Sequence, residues 1–416
     1  MGSLRNYVLV TAAYWAFTLT DGALRMLVLL HFHDLGFTPV AIAFLFLFYE
    51  SFGVVTNLVG GWIAARMGLR ATLLGGLATQ VIALGMLSLI GSGWTRGASA
   101  AYVMAAQALS GVAKDLTKMS AKSAIKVLVP GDAQASLFRW VAILTGSKNA
   151  LKGVGFFLGG LLLSALGFRA SLLAMAGGLL AALVGSVLSL PRDMGKAKSK
   201  ASFSRLMSKS RSINILSAAR FFLFGARDVW FVVGVPVFLA DTLGWGFTSV
   251  GGFLALWVIG YGTVQSLAPA AIGRFTGGIA PQGLATTVLA FLLAATMAAL
   301  AAGFTAGWRV EWVVLGGLAV FGVVFAVNSS VHSYLVLAYS EGDDVALNVG
   351  FYYMANAGGR LVGTLLSGIL YQSAGLVACL WTSMVFTIAA AILSTLLPRH
   401  QAPRPMTEMR IEGSSE

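Results

Sequence analysis

One cysteine, Cys379, among 416 residues leaves no partner for an intrachain disulfide and no thiolate set to hold a metal. Charge is almost as scarce. Asp, Glu, Lys and Arg make up 10% of the chain against 58% hydrophobic residues, and the mean hydropathy is +0.84. That balance excludes a water-soluble protein of this length and reads as an all-α protein embedded in a lipid bilayer. Acid is the scarcer sign, with 15 Asp and Glu against 28 Lys and Arg and a net charge of +13. The basic residues are dispersed among apolar segments instead of forming one basic domain, so nucleic acid is not the expected partner. No nucleophile, metal cluster or cofactor motif stands out, which argues against an enzyme and against a bound cofactor. His31 and His33 with Asp34 form no metal set, because alternate positions point to different helix faces and no third ligand is evident.

What the chain has in abundance is long apolar runs. Cut by Gly, Pro and charged turns, they predict twelve membrane-crossing helices, at 7–30, 40–65, 71–91, 99–120, 138–165, 171–190, 213–239, 248–273, 282–303, 312–338, 347–370 and 376–397. The first run follows a weakly basic start, Arg5, but is long, carries Asp21 and Arg25, and lacks a small-residue cleavage pattern. It is expected to be a retained helix and not a signal peptide. Between the sixth and seventh runs lies PRDMGKAKSKASFSRLMSKSR. The expected organisation is therefore a six-helix bundle over 1–190, a polar linker over 191–212, a second six-helix bundle over 213–398 and a tail over 399–416.

With the N-terminus in the cytoplasm, seventeen Lys and Arg fall in inner segments and three, Arg96, Arg169 and Arg309, in outer loops. This predicts a multi-pass protein with both termini cytoplasmic. Weak internal symmetry supports two related halves. LGF at 35–37 and LGW at 243–245 each follow the first helix of a half, and GDAQ at Gly131 and GDDV at Gly342 each precede the fifth. Such repeats are what transporters built of two pseudo-symmetric bundles leave in sequence.

The remaining eight basic residues are the informative ones. Arg25, Lys114, Lys118, Lys148, Lys152, Arg220, Arg227 and Arg360 lie in or near the runs, against Asp21, Glu50, Asp115 and Asp228. A charge at bilayer depth costs about 3 kcal/mol on insertion scales, so a surplus of cations there points to an anionic ligand in a hydrated cavity. Asp21 and Arg25, at i and i+4, either neutralise each other or act separately. Arg227, at similar depth in the seventh helix, is the counterpart of Arg25, and two arginines facing each other would clamp a phosphate-like group with bidentate hydrogen bonds. Lys114, Lys148, Lys152 and Arg360 complete the candidate binding set. Lys122 and Lys126 read as cytoplasmic anchors. Asp21, Glu50, Asp228 and His332 are candidates for proton coupling, with counter-ion roles as the alternative.

Two resemblances rest on quoted stretches. GWIAARMGLRAT at 61–72 resembles the signature cytoplasmic loop of the major facilitator superfamily, with Gly61, Arg66, Gly68 and Arg70 in register and Ala65 where the usual acidic residue stands. TDGALRMLVLLHFH, FYESFGVVTNLVGGW, KDLTKMSAKSAIK, WVAILTGSKNALKGVGFFLGG, AARFFLFGARDVWFVV and GGFLALWVIGYG look like the ArsJ family of bacterial organoarsenical efflux permeases. The resemblance implies a major facilitator fold in the bacterial inner membrane, working as a monomer. It also implies export of a small anionic organoarsenical, 1-arseno-3-phosphoglycerate, with arsenate resistance as the outcome. The substrate would come from glyceraldehyde-3-phosphate dehydrogenase using arsenate in place of phosphate, a functional pairing. One arginine on helix one and one on helix seven also resembles the organophosphate:phosphate antiporters of the superfamily. The alternatives are an organophosphate antiporter or importer with another anionic substrate and, more remotely, a non-transporting receptor.

Overall fold

The computed structural model describes residues 2–91, 93–128, 134–191, 210–275, 281–339 and 345–398, with the side chains of 60–67, 122–128 and 134–146 among those left out. Residues 192–209 of the central linker and the C-terminal tail read from the sequence lie outside the described residues. So do the GDAQ and GDDV turns, save their last residues, Gln134 and Val345, each of which starts a helix.

No strand occurs among the described residues; the chain is a succession of helices. The first half comprises α1 (Gly2–Asp34), α2 (Pro39–Leu45), α3 (Leu47–Met67), α4 (Leu69–Ser88), α5 (Arg96–Leu128) and α6 (Gln134–Ser189). The second comprises α7 (Arg211–Phe231), α8 (Gly234–Asp241), α9 (Phe247–Phe275), α10 (Gly283–Thr305), a π-helical turn (Trp312–Gly316), α11 (Gly317–Ala338) and α12 (Val345–Thr395).

Every apolar run read from the sequence falls on helix, and several helices outlast their runs. α1 continues to Asp34, α5 to Leu128, and α7 starts at Arg211, inside the stretch read as linker. The run 40–65 is broken at Phe46 into α2 and α3, and 213–239 at Val232 and Val233 into α7 and α8. α6 and α12 each join two runs, with breaks at Gly167 (φ 73°) and at Ala374–Gly375 (Gly375 φ 71°). Among the described residues, eight helical segments are long and apolar enough to cross a membrane. Two of them, Ser147–Ser189 and Gly350–Thr395, are about twice the length one crossing needs and contain those breaks. Large apolar side chains such as Leu188, Leu256 and Trp312 stand on the outer surface, where acyl chains and not water would meet them.

The LGF and LGW turns have a common physical basis. Gly36 (φ 76°) and Gly244 (φ 66°) both adopt the left-handed region, which glycine enters without a Cβ penalty, so each half turns its first long segment into the next in the same way. After Gly36, the Thr38 hydroxyl accepts the Ala41 N–H and Pro39 occupies the first helical turn, which fixes where α2 begins.

Glycine also sets the spacing between helices. α7 packs along α12 so closely that a Cβ at Gly363 would stand 2.7 Å from the Gly225 carbonyl oxygen, and one at Gly359 would collide with the Phe221 carbonyl. Between the halves, α6 lies on α9 with backbone against backbone. A Cβ at Gly153 would stand 2.8 Å from the Ala255 carbonyl oxygen, one at Gly251 2.8 Å from that of Phe156, and one at Gly160 would overlap that of Phe247. At the end of the bundle remote from the chain termini, His33 of α1 meets Asp241 of α8 at 2.7 Å, and the Val40 N–H donates to the Gln372 side chain. The halves are thus joined along two seams, α6 on α9 and α12 on α2 and α3, where a Cβ at Gly368 would overlap the Pro39 carbonyl oxygen, and by the His33–Asp241 pair.

Candidate functional site

The buried charges gather where α1, α3, α5, α6, α7 and α12 converge. Arg25 projects from α1 and donates through Nη2 to Glu50 Oε1 on α3, with its guanidinium near the Phe46 and Tyr49 rings, 5.2 and 5.4 Å from their centroids. The same Glu50 oxygen accepts from Arg360 Nη2 at 2.7 Å, across the boundary between halves. Arg360 then reaches back to α7, where its Nε donates to Asp228 Oδ2 at 3.0 Å, and Asp228 Oδ1 accepts from Arg227 Nε at 2.6 Å. The close α7–α12 approach at Gly359 and Gly363 is what brings Arg360 within reach of Asp228. The result is an alternating chain, Arg25, Glu50, Arg360, Asp228, Arg227. Glu50 and Asp228 are each 0% exposed, an expensive placement that such charge-assisted bonds offset.

The two arginines read as a clamp are therefore linked through two carboxylates and a third arginine. Nor does Asp21 neutralise Arg25. Its Oδ1 instead accepts the Tyr49 hydroxyl at 2.6 Å, and no cation stands within salt-bridge distance of it among the described residues. The Tyr49 phenol thus holds Asp21 while its ring faces Arg25 and Lys114.

The lysines divide. Lys118 is tied to Asp115 at 2.7 Å and to the Asn57 side chain, with Thr56 donating to the other Asp115 oxygen, so the acid beside Lys114 in sequence serves Lys118. Lys114 stands over the Tyr49 ring at 4.0 Å, and Lys152 lies 5.7 Å from the Phe156 centroid, in the combined field of Arg25, Arg360, Asp21 and Glu50. Neither Lys114 nor Lys152 has a carboxylate in salt-bridge contact among the described residues. Lys148 is half-buried one turn before Lys152. The side chains of Lys122, Lys126, Arg66 and Trp140 lie outside the described residues, while Arg70 donates to the Val187 carbonyl at 2.7 Å and ties α4 to the end of α6.

Toward the termini on α7, Arg220 has a different setting. It is 4% exposed and meets only neutral acceptors: the Asn356 carbonyl oxygen at 3.2 Å, the Ser329 hydroxyl at 3.1 Å and the Ser329 backbone carbonyl at 3.3 Å. Gln265 and Tyr261 also point at the Ser329 hydroxyl, and Asn149 of the first half reaches Gln265 at 3.1 Å. His332, one of the proton-coupling candidates, is fully buried within the field of Arg220. Both its ring nitrogens and both polar side-chain atoms of Asn328, one turn away, lack hydrogen-bond partners among the described residues.

A cavity of about 630 Å³ opens well away from this chemistry, between α10, the π-helical turn and α11, lined mainly by apolar side chains with Arg309 among them. His31 stacks on Phe168 with ring centroids 4.0 Å apart, and His33 is committed to Asp241.

The family model described as Major Facilitator Superfamily matches residues 10–328. A POT family transporter solved in complex with 5-aminolevulinic acid superposes with a TM-score of 0.72 at 14% identity, over 93% of this chain and 94% of the other. A D-xylose-proton symporter gives 0.71 at 14% identity over 94% and 96%, and the human organic anion transporter MFSD10 (TETRAN) gives 0.64 at 17% over 94% and 99%. Likeness at such identity carries the fold and leaves the cargo open. No curated protein sequence matches this chain.

Proposed function

Because the chain belongs to the Major Facilitator Superfamily, we propose that it is a transporter of organic anions, which alternates access to the charged centre by rocking two six-helix halves of a twelve-crossing bundle. One observation carries this reading. Glu50 and Asp228 are already consumed by Arg25, Arg227 and Arg360, yet Lys114 and Lys152 bring further positive charge into the same buried region without a carboxylate of their own. Uncompensated buried cations are costly unless an anion completes them.

The network also supplies a working step. Glu50–Arg360 is an ionic tie between the halves, and an arriving anion, drawn by Lys114 and Lys152, competes with Glu50 and Asp228 for Arg360. Replacing one anion by another keeps the arginine compensated while loosening the tie, so the halves are free to rock only when cargo is present. After release the carboxylates return to Arg360. Asp21, which has Tyr49 and no cation as its partner among the described residues, is the carboxylate best placed to carry a proton against the anion.

For the cargo we take the organoarsenical ester 1-arseno-3-phosphoglycerate, exported across the bacterial inner membrane from cytoplasm to exterior, with glyceraldehyde-3-phosphate dehydrogenase as its source and arsenate resistance as the outcome. The sequence resemblance to organoarsenical permeases supports this choice, and the excess of cations suits a multiply charged anion. Uptake of enzymatically generated ester by inverted vesicles, with and without a pH gradient, tests substrate and coupling together. Ester accumulation enhanced by an inside-acid gradient is expected. Accumulation of glycerol 3-phosphate in preference to the ester would make the protein an organophosphate transporter, a second reading that the arginine-rich centre serves equally well.

A further inference from the structure

Arg220 is a buried cation that the transport step above does not use. Every other buried arginine in the centre has a carboxylate partner; Arg220 has three neutral acceptors at 3.1–3.3 Å and the faces of Phe224 and Tyr352, whose centroids lie 3.9 and 5.0 Å from its guanidinium carbon. Its Nη2 makes no hydrogen bond among the described residues. Beside it, fully buried His332 and Asn328 hold four polar atoms that bond to nothing among those residues. A cation with a spare donor beside unused polar groups is the composition of an anion subsite awaiting its ligand.

Its position relates it to the main network. Arg220 and Arg227 are two turns apart on one face of α7, and Phe224 lies between them, its centroid 3.9 Å from one guanidinium carbon and 4.9 Å from the other. The two guanidinium carbons are therefore at most about 9 Å apart, with a ring face between them. A short carbon chain with an anionic group at each end covers that span.

We propose that Arg220, supported by Asn356 and Ser329, is a second anion-binding subsite, which selects cargo carrying two separated anionic groups over cargo carrying one. The subsite rests on the anion-transport reading and specifies its substrate class. One group meets Arg227, and the other meets Arg220, with the Phe224 ring beside the chain that links them. The His332 and Asn328 side chains, on α11 of the same half, would supply neutral hydrogen bonds to the second group.

The test compares two probes on the purified full-length protein by titration calorimetry: 3-phosphoglycerate, with phosphate and carboxylate ends, and glycerol 3-phosphate, with one anionic end. The parent protein is expected to prefer 3-phosphoglycerate by about tenfold. Arg220→Gln should bring that ratio to about one. So should Asn356→Asp, which gives Arg220 the carboxylate it lacks while leaving the arginine in place, and which carries the comparison if Arg220→Gln fails to fold. An unchanged ratio in a folded variant, or equal weakening of both probes, would overturn the subsite while leaving the transport reading standing. If the parent binds neither probe, the transport reading falls and the subsite with it.

Discussion

The arginines of α7 and α12 sit in two environments that differ in one respect, the sign of what surrounds them. Arg360 lies between Glu50 and Asp228, whereas Arg220, seven residues from Arg227 on the same helix, lies among an amide, a hydroxyl, a backbone carbonyl and two aromatic rings. The first arrangement gives each guanidinium a carboxylate and ties the two halves, with Glu50 Oε2 left unbonded among the described residues; the second gives its guanidinium none and holds nothing across the boundary directly. Arg220 is buried and Arg360 half-buried, so depth in the bundle alone does not mark a residue as structural or functional. The test is whether its charge is answered within the protein.

The comparison breaks most easily at Arg360. Arg360→Ala strands Glu50 and Asp228 without their shared partner, and the expected cost is about 3–5 kcal/mol, seen as a lowered unfolding midpoint in detergent together with lost vesicle uptake. A midpoint and flux equal to the parent's would mean that the network is not what joins the halves. Glu50→Gln keeps the shape but removes the competing anion. Phosphate affinity should rise about tenfold, or about 1.4 kcal/mol, while flux falls because the cargo is no longer displaced. Affinity that drops instead would make Glu50 a mere scaffold for Arg25. Arg220→Gln leaves no carboxylate behind, so its unfolding midpoint should correspond to within about 1 kcal/mol of the parent, in contrast to Arg360→Ala. A loss as large as that of Arg360→Ala would erase the distinction between the two regions. Least of all, His33→Ala removes a pair whose partner Asp241 is 55% exposed; a change below about 1 kcal/mol is expected in the same unfolding measurement, and a larger one would shift the joint between the halves to this end.

Much of this was legible in the order of residues. Runs of apolar residues at crossing length can hardly be anything but helix, and the breaks at Gly167 and Gly375 fall between predicted runs because glycine marks the turns. The surplus of buried cations was a matter of counting. What could not be read was which anion answers which cation. Asp21 and Arg25 share a helix face, yet Tyr49 and Glu50, adjacent on α3, separate them, and only the approach of α3 to α1 decides that. Likewise Asp115 follows Lys114 directly but bonds Lys118, because one helical turn, and not chain adjacency, brings the side chains together. The setting of Arg220 was equally out of reach, since its nest of neutral acceptors comes from α11 and α12, more than a hundred positions away.

The seam between α6 and α9 has a mechanical consequence. At Gly160 and Gly251 the two helices meet as bare backbone, while the Ile259 side chain packs against Gly153, so the Gly160–Gly251 stretch is the part of the seam on which one helix can roll over the other. This close contact between the halves is thereby also a pivot, matched by α12 on α2, where a Cβ at Gly368 would overlap the Pro39 carbonyl oxygen. A single methyl placed at Gly251, 2.8 Å from the Phe156 carbonyl, would act as a wedge set to one side of a hinge, propping one mouth of the transporter open while each half stays folded.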